Sequence, residues 1–515
     1  MDDLTRASRL AGGIWGHLIG DATGVPYEFM SAERIGEVEF GAAGGPWDQP
    51  PGTWSDDGSL MLALLDSLLT TGFDTEDQGR RSVAWMDEGD YTPAHAGKFD
   101  IGTTTSEALH AIRRGLPAID AGPTGERSSS NGSLMRILPL AVVERDGWEP
   151  DRQTRAVDDL TLVRHAHEAS RVTHGHPRCQ VVCALYALVV RRLLDEERPT
   201  PLPQPALDGA LATLRAIYAG DDALAPHLAA LDELEAWREL PHTGRGFVLD
   251  AFWSAWDAFA GARDYRDTIV RAIRLGNDTD TTAAIAGGLA GVCWGWEDIP
   301  VAWRRGMRGR EVATPFVDRL VATTGPRTST LSPLRIDPID LDGIERDDGG
   351  RLGITFLPGK KRDGYTGNHW RDVDADAATL RDAGWDVLFL LVEDEELVSC
   401  RVPDVAEALD AVGVELVRCP IRDPRIPTPQ QEAGYRLAIA DLVARVRGGG
   451  SVAIACRGGI DRSGMTAACV LIEAGIPIEE AIDRVHAGRH GSLTYRDQLV
   501  YVKGWVVGGS DAPDA

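Results

Sequence analysis

The sequence predicts a multidomain chain, an all-α part followed by an α/β part built on a central, largely parallel sheet. Three observations predict it. Up to about residue 325, long apolar stretches of helical character, such as LMLALLDSLLTTG at 60–72 and TAAIAGGLAGVCWG at 282–295, are separated by loops rich in Gly, Pro and Asp, with few strand signals. The segment RTSTLSPLRIDPIDLDGIERDDGG at 327–350 is polar, interrupted by proline and aperiodic. Beyond it, short β-rich runs, VLFLLV at 387–392, VELVRC at 414–419 and SVAIA at 451–455, alternate with helical patterns. The boundaries expected from these shifts are a helical domain at 1–325, a linker at 326–345, an α/β domain at 346–508 and a tail at 509–515.

Length and composition fit that division. A chain of 515 residues exceeds what one hydrophobic core serves, and 43% hydrophobic with 26% charged residues is ordinary for folded protein. The formal net charge of −26 repels polyanions, which argues against a general nucleic-acid or anionic-membrane binder. A phosphate-bearing substrate must then be captured locally. The opening MDDLTRASRL has neither the basic nor the apolar region of a secretory signal, and no apolar run reaches the roughly 18 residues of a membrane span, so a cytoplasmic location is expected. Seven scattered cysteines form no disulfide framework and no paired C-x-x-C pattern.

In the helical part, two acidic clusters stand at helix starts more than two hundred residues apart. Ser55, Asp56 and Asp57 precede the apolar helix from Leu60, and Asp278, Asp280 and Thr281 precede the small-residue helix from about Ala283. Either cluster alone reads equally as a helix N-cap. Adjacent carboxylates repel, however, and helix N-termini offset only part of that repulsion, so a cation is the natural remedy. Every candidate ligand is an oxygen, which selects hard cations, Mg²⁺, Mn²⁺ or Ca²⁺; we take Mg²⁺, with Mn²⁺ as the alternative.

The segments GIWGHLIGDATGVPYEF, WSDDGSL, KFDIGTTT, SSSNGSLMR, VTHGH and GNDTDTTAAIAGGLAG occur in one order between residues 8 and 325. In that order they resemble the ADP-ribosylglycohydrolase family, which includes the dinitrogenase-reductase-activating glycohydrolases. The resemblance implies that Ser55, Asp56, Asp57, Asp278, Asp280 and Thr281 hold a pair of metal ions against the ribose of ADP-ribose. Ser55 stands where the family usually has Thr, and keeps the hydroxyl. Glu28 and Asp100 match positions used near the reacting carbon or the metals. Cleavage of a ribosyl bond passes through an oxocarbenium-like state that needs nearby negative charge. Asn131, Gly132 and Ser133 lie in a small-residue loop whose backbone N–H groups are expected to approach the diphosphate, although NGS alone reads as a turn. His174, in THGHP, is a further ligand-contact candidate beside the ordinary capping or surface role, and His176 a weaker one.

In the α/β part, SVAIACRGGIDRSGMTAACVLIEAG reads as a buried strand, a glycine loop and a helix ending at Gly475. Cys456 and Arg462 are spaced C-x5-R. Such a loop aims backbone N–H groups inward at a helix N-terminus, an anion site that favours thiolate over thiol. A thiolate against a phosphate suits in-line attack on phosphorus. Arg462 would clamp phosphate oxygens and Ser463 would donate to the sulfur, while Gly458 and Gly459 would permit the cradle. Asp423, on the Pro-rich loop RCPIRDPRIPTP, is the candidate general acid, though an Asp-Pro loop alone is commonly a turn.

FLPGKKRD, CRVPDVAEAL, CPIRDPRIPTP, ACRGGIDRSGMTAACVL and AIDRVHAGRHGSLTYRDQLVYV make residues 350–505 resemble the kinase-associated, dual-specificity branch of the protein tyrosine phosphatases. That resemblance supports Cys456, Arg462 and Asp423 in the roles above and adds Gln498 as a group that positions water. It implies no cofactor in this domain. The family's usual His before the nucleophile is replaced by Ala455, and Arg457 is expected to compensate in part as a further phosphate-side residue. Cys419 or Cys469 is a candidate resolving thiol. The expected whole is a bifunctional hydrolase: Mg²⁺-dependent removal of ADP-ribose from a protein side chain or a small acceptor, and cysteine-dependent hydrolysis of a phosphorylated protein or small molecule. A non-catalytic ADP-ribose- or phosphate-reading domain that targets its neighbour is the alternative.

Overall fold

Caps and glycine stops lie where the helices begin and end. Ser55 accepts a hydrogen bond from the Asp57 amide at 3.2 Å to start one helix, and Asp74, Asp158 and Asp264 cap three others. Gly72 and Gly295, both at positive φ, close the two helices legible at 60–72 and 282–295. The computed structural model describes residues 3–93, 96–144, 148–149, 152–153, 157–196, 203–364 and 367–508, so the expected tail at 509–515 lies outside the described residues. The chain divides into two units, Met1–Gly325 and Pro326–Ala515.

The first unit is helical. Its elements are α1 (Asp3–Gly24), α2 (Asp56–Thr71), α3 (Thr75–Glu88), α4 (Thr103–Arg113), α5 (Leu138–Glu144), a small hairpin of β1 (Trp148–Glu149) and β2 (Arg152–Gln153), then α6 (Asp159–Arg171), α7 (Pro177–Asp195), α8 (Gln204–Gly220), α9 (Leu228–Trp237), α10 (Val248–Ala260), α11 (Tyr265–Ile273), α12 (Thr279–Trp294), α13 (Val301–Gly306) and α14 (Arg310–Ala322). At its centre α1 lies directly on α12. Gly12, Gly16, Gly20 and Gly24 recur every fourth residue and so share one face of α1. A methyl group at Gly12 would lie 2.5 Å from the Gly291 carbonyl oxygen, and one at Gly16 would lie 2.5 Å from that of Gly287. Gly20 against Ala283 and Gly24 against Asp280 are closer still. Backbone therefore meets backbone, with no side chain between.

The second unit is a five-stranded sheet in the order β3 (Asp337–Pro338), β4 (Arg351–Phe356), β9 (Ser451–Cys456), β7 (Val387–Leu390), β8 (Glu415–Arg418), parallel except for the β3–β4 pair. A hairpin of β5 (Lys361–Gly364) and β6 (Gly367–Trp370) stands apart from it. The helices are α15 (Val373–Asp382), α16 (Asp394–Ser399), α17 (Val405–Val412), α18 (Pro429–Arg447), α19 (Asp461–Glu473), α20 (Ile478–Gly488) and α21 (Arg496–Lys503). Strand alternation sorts the core into two layers. Val387, Phe389, Val452 and Ile454 pack with α18, α19 and α20, whereas Leu388, Leu390, Ala453 and Ala455 pack with α15 and α17.

Residues 326–345, suggested by their polarity as a linker, run over the second unit. They supply β3 and bury Leu334, Ile339, Leu341 and Ile344. The Asp and Pro residues between these four hide a spaced apolar set that a periodicity scan passes over. No helix of the described residues is long and apolar enough to cross a membrane.

The glycine face of α1 makes a direct prediction. Gly16→Leu should lower the thermal midpoint of the full chain by an amount equivalent to about 3 kcal/mol or more, because backbone blocks the new side chain. Gly36→Ala, with nothing within 4 Å of the added carbon, should change it by less than about 1 kcal/mol. Equal effects in the two variants would contradict the packing described.

Candidate active sites

The close pairing of α1 with α12 brings three helix ends together. Asp21, in the last turn of α1, accepts hydrogen bonds from the amides of Ser55 at 3.0 Å and Gly58 at 2.8 Å, so that it caps α2 from outside. Asp56 and Asp57 open α2, and Asp280 and Thr281 open α12 beside Gly24. Thr281 donates its hydroxyl to Asp57 Oδ2 at 3.2 Å, and Ser55 Oγ lies 3.4 Å from the same oxygen. Both acidic clusters and both hydroxyls of the sequence reading are thus in one place. Asp278 accepts from Asn131 Nδ2 at 2.9 Å, while an oxygen each of Glu28, Asp100 and Asp280 lie within 4.8 Å of one another.

These acids are buried and act on one another. Burial raises Asp21 to about 7, Glu28 to about 8 and Asp100 to about 6. Asp56, Asp57 and Asp280 are driven well above the carboxylate range by burial, with carboxylates around them adding to the shift. Both side-chain oxygens of Asp280 and one of Asp57 are buried with no hydrogen-bond partner among the described residues. Orphaned anionic oxygens are costly unless something compensates them. The donors are all carboxylates and hydroxyls, and that set fits a hard divalent cation.

Asp21 was read only as a letter of the opening motif, and its acceptance of α2 amides gave no sequence signal. Trp47 was missed too: its indole N–H donates to Glu28, and its ring lies between Phe29 at 6.4 Å and Phe99 at 6.0 Å. The 131–133 loop departs from expectation. The Asn131 amide is bonded to Gly246 O at 3.0 Å, and the Ser133 hydroxyl is turned into the core, accepting from Ser170 Oγ at 3.0 Å. That amide is therefore committed to the fold, and Asn131 reaches the site through its side chain. His174 is likewise a core group. Its Nε2 meets Ser130 Oγ at 2.8 Å and its Nδ1 meets Thr173 Oγ1 at 3.0 Å, with burial pulling it down to about 3. His176 caps α7.

In the second unit Cys456 ends β9 and Arg462 lies in the first turn of α19. The sulfur accepts from the Gly459 amide at 3.2 Å and lies 3.4 Å from Ser463 Oγ. Gly459 needs its lack of a side chain: its φ is +64°, and a methyl there would lie 2.5 Å from the Thr355 carbonyl. Gly458 does not, since the nearest atoms to an added carbon are 4.0 Å away in Ile460, so close approach is carried by Gly459 alone.

Arg462 is fully buried. Its Nη1 donates to Ile421 O at 2.6 Å, and its two terminal nitrogens grip Glu396 at 2.7 and 2.8 Å. Five donors are available to a guanidinium, and the Nε edge stands 3.2 Å from Asp423 Oδ1. Asp423 also pairs with Arg457 at 2.6 Å, so Arg457 points to the acid loop rather than to the sulfur. Gln498, on α21, donates to the carbonyls of Pro424 and Arg425 at 3.4 and 3.3 Å and thereby holds that loop. Burial raises the thiols of Cys419 and Cys469, which makes both poor nucleophiles at neutral pH. Glu396 escaped the sequence reading because it sits in an ordinary capping box at the start of α16.

Comparisons with known proteins agree with this division. The ADP-ribosylglycohydrolase family model matches residues 2–329, and that of cyclin-dependent kinase inhibitor 3 matches residues 325–482. ADP-ribosylarginine hydrolase Tri1 of Pseudomonas putida is 28% identical over 306 residues, 57% of this chain and 73% of the relative. ADP-ribosyl-[dinitrogen reductase] glycohydrolase of Rhodospirillum rubrum is 25% identical over 327 residues, 62% of this chain and 97% of the relative. A crystal structure of kinase associated phosphatase with its catalytic-site cysteine replaced by serine is 25% identical, covers 33% of this chain and 93% of its own, and has a TM-score of 0.30.

The raised carboxylates fix a sign. An acid whose folded value exceeds its ordinary one binds more protons folded than unfolded, so stability falls as pH rises. For Asp21 and Glu28 the loss runs from their ordinary values of 3.8 and 4.5 up to about 7 and 8. A divalent cation that binds the ionised cluster should therefore raise the melting midpoint more at about pH 8 than at about pH 5. Equal stabilisation at both values would argue against a cation held by these acids.

Proposed function

Because the chain belongs to the ADP-ribosylglycohydrolase family and carries behind it a domain of the kinase-associated phosphatase type, we propose that it is a bifunctional hydrolase. Its first unit removes ADP-ribose from a modified side chain with Mg²⁺ bound, and its second unit hydrolyses a phosphate monoester through Cys456. The observation that carries the first reading is the convergence of Asp56, Asp57 and Asp280 at one junction, where one oxygen of Asp57 and both of Asp280 lack a hydrogen-bond partner among the described residues. Ser55, Asp56, Asp57, Asp278, Asp280 and Thr281 would hold the divalent cations, with Asp21 and Asp100 beside them. Such ions supply electrostatic stabilisation and orient ribose hydroxyls and water.

Around the reacting carbon, the surplus of carboxylates favours the positive charge that develops on the ribose as the bond to the acceptor breaks. Water adds at the anomeric carbon, and the acceptor leaves with the proton it needs. Glu28, buried and held by the Trp47 indole, is suited to hold that proton. The products are ADP-ribose and the free side chain. The name of the Tri1 relative makes ADP-ribosyl-arginine the first acceptor to assay.

In the second unit the Cys456 sulfur attacks phosphorus, the bond to the leaving oxygen breaks, and Asp423 gives that oxygen its proton. Water then gives a proton to the Asp423 carboxylate and attacks the cysteinyl phosphate; the S–P bond breaks, inorganic phosphate leaves and the sulfur anion is restored, with Ser463 donating to it. Arg462, braced by Glu396, offers its Nε edge to phosphate oxygens.

Asp280→Asn should lower kcat/KM on ADP-ribosyl-arginine by at least about 100-fold while leaving p-nitrophenyl phosphate turnover intact. Chelator should reproduce the first effect, and turnover that survives chelation would sink the Mg²⁺ reading. For the second unit, Cys456→Ser should abolish p-nitrophenyl phosphate turnover. Asp423→Asn should cost about 100-fold on phenyl phosphate and less on p-nitrophenyl phosphate, whose leaving group needs less protonation. Equal losses on the two esters would remove Asp423 as the acid.

A further inference from the structure

Cys456 has an apolar neighbour behind it, Ala455, buried within β9, and Arg457 beyond it is engaged by Asp423 at 2.6 Å. A sulfur anion here must draw on other charges. Lys360, in the turn between β4 and β5, is only 4% exposed. Its Nζ donates to the Arg457 carbonyl oxygen, within the nucleophile's loop, at 3.2 Å, and lies 4.4 Å from the centre of the Phe356 ring that ends β4. Phe356 is the β4 residue paired with Cys456 itself. Among the described residues no carboxylate pairs with Lys360, so a buried ammonium sits here without its usual partner.

Among the charged and titratable groups that act on it are Cys400 after α16, Cys456 at the end of β9, Arg371 just beyond β6, Arg489 after α20 and His369 on β6. Burial pulls His369 down to about 3, which leaves it neutral, and the two guanidiniums oppose a further cation. The groups that favour a charged Lys360 are the sulfurs of Cys400 and Cys456. Cys400 has its own thiol raised by burial. Cys456 is the sulfur that the geometry addresses, since Lys360 bonds the carbonyl of the next residue and lies over the ring of its strand partner.

On the reading of the second unit as a cysteine phosphatase, we propose that Lys360 is a positioning residue, the buried countercharge that keeps Cys456 ionised and fixes its loop through the Arg457 carbonyl. Burial draws the Lys360 ammonium down to about 8, so it is charged at neutral pH and its support fades on the alkaline side. In sequence, a lysine in PGKKRD is indistinguishable from solvated charge in a turn.

The test uses the full chain and follows iodoacetamide alkylation of Cys456 against pH, read by mass spectrometry of the peptide that contains it. Lys360→Met should move the alkylation midpoint upward by at least about one pH unit, and Lys360→Arg should hold it near that of the unsubstituted protein. p-Nitrophenyl phosphate kcat/KM at neutral pH should fall about tenfold in the Met variant and recover in the Arg variant. An unmoved midpoint in Lys360→Met, with or without lost turnover, would overturn the proposal. Alkylation needs no turnover, so an inactive phosphatase would end the phosphatase reading while the role of Lys360 is still decided. Should Lys360→Met fail to fold, Lys360→Gln decides, since it keeps a donor for the Arg457 carbonyl but carries no charge; its alkylation midpoint should also rise by at least about one pH unit, and an unmoved midpoint would count against the proposal.

Discussion

The first unit depends on one contact, the side-chain-free meeting of α1 with α12. Glycines every fourth residue let the two backbones touch, as small residues at a helix seam allow. Close approach fixes where the ends come to rest. Asp21 at the end of α1 is delivered to the amides of Ser55 and Gly58, and Asp280 at the start of α12 is delivered beside Gly24. A bulkier seam would part these ends, and the carboxylates would relax into separate solvated caps. The packing thus holds together charges that repel, and such repulsion is tolerable only where a cation or protons answer it.

The second unit solves the opposite problem. There the proposed chemistry needs an anion, and the fold gathers donors about the Cys456 loop: the Gly459 amide, the Ser463 hydroxyl, the buried guanidinium of Arg462 and the ammonium of Lys360. Each cation is in turn restrained. Glu396 grips one end of Arg462, and a ring and a carbonyl hold Lys360. The parallel sheet provides the rigidity, because β9 is flanked by β4 and β7 and ends at Cys456, the proposed nucleophile.

Much of this was legible in the sequence, for physical reasons that particular residues make plain. Cys456, Arg462 and Ser463 lie within one loop and one helical turn, so their spacing carries their geometry. Asp56, Asp57 and Asp280 were legible because acids crowded at helix starts are unusual. What escaped depends on partners distant in the chain. Glu396 meets Arg462 across 66 positions and looks locally like a cap. His174 looked available, yet Ser130 and Thr173 occupy both of its nitrogens. Gly458 and Gly459 are equal as letters, and only the nearness of Thr355 separates them. The glycine spacing on α1 is visible as a motif, but its meaning as a helix seam needs α12 beside it. The polar run at 326–345 concealed its four buried apolar residues in the same way.

Anomalous scattering from crystals of the full chain grown with Mn²⁺ would locate the bound ions directly. Density is expected among Asp56, Asp57 and Asp280, within reach of Glu28 and Asp100, and should vanish in Asp280→Asn. Well-diffracting crystals with Mn²⁺ in excess and no peak inside that cluster would mean that protons, not metal, neutralise these acids.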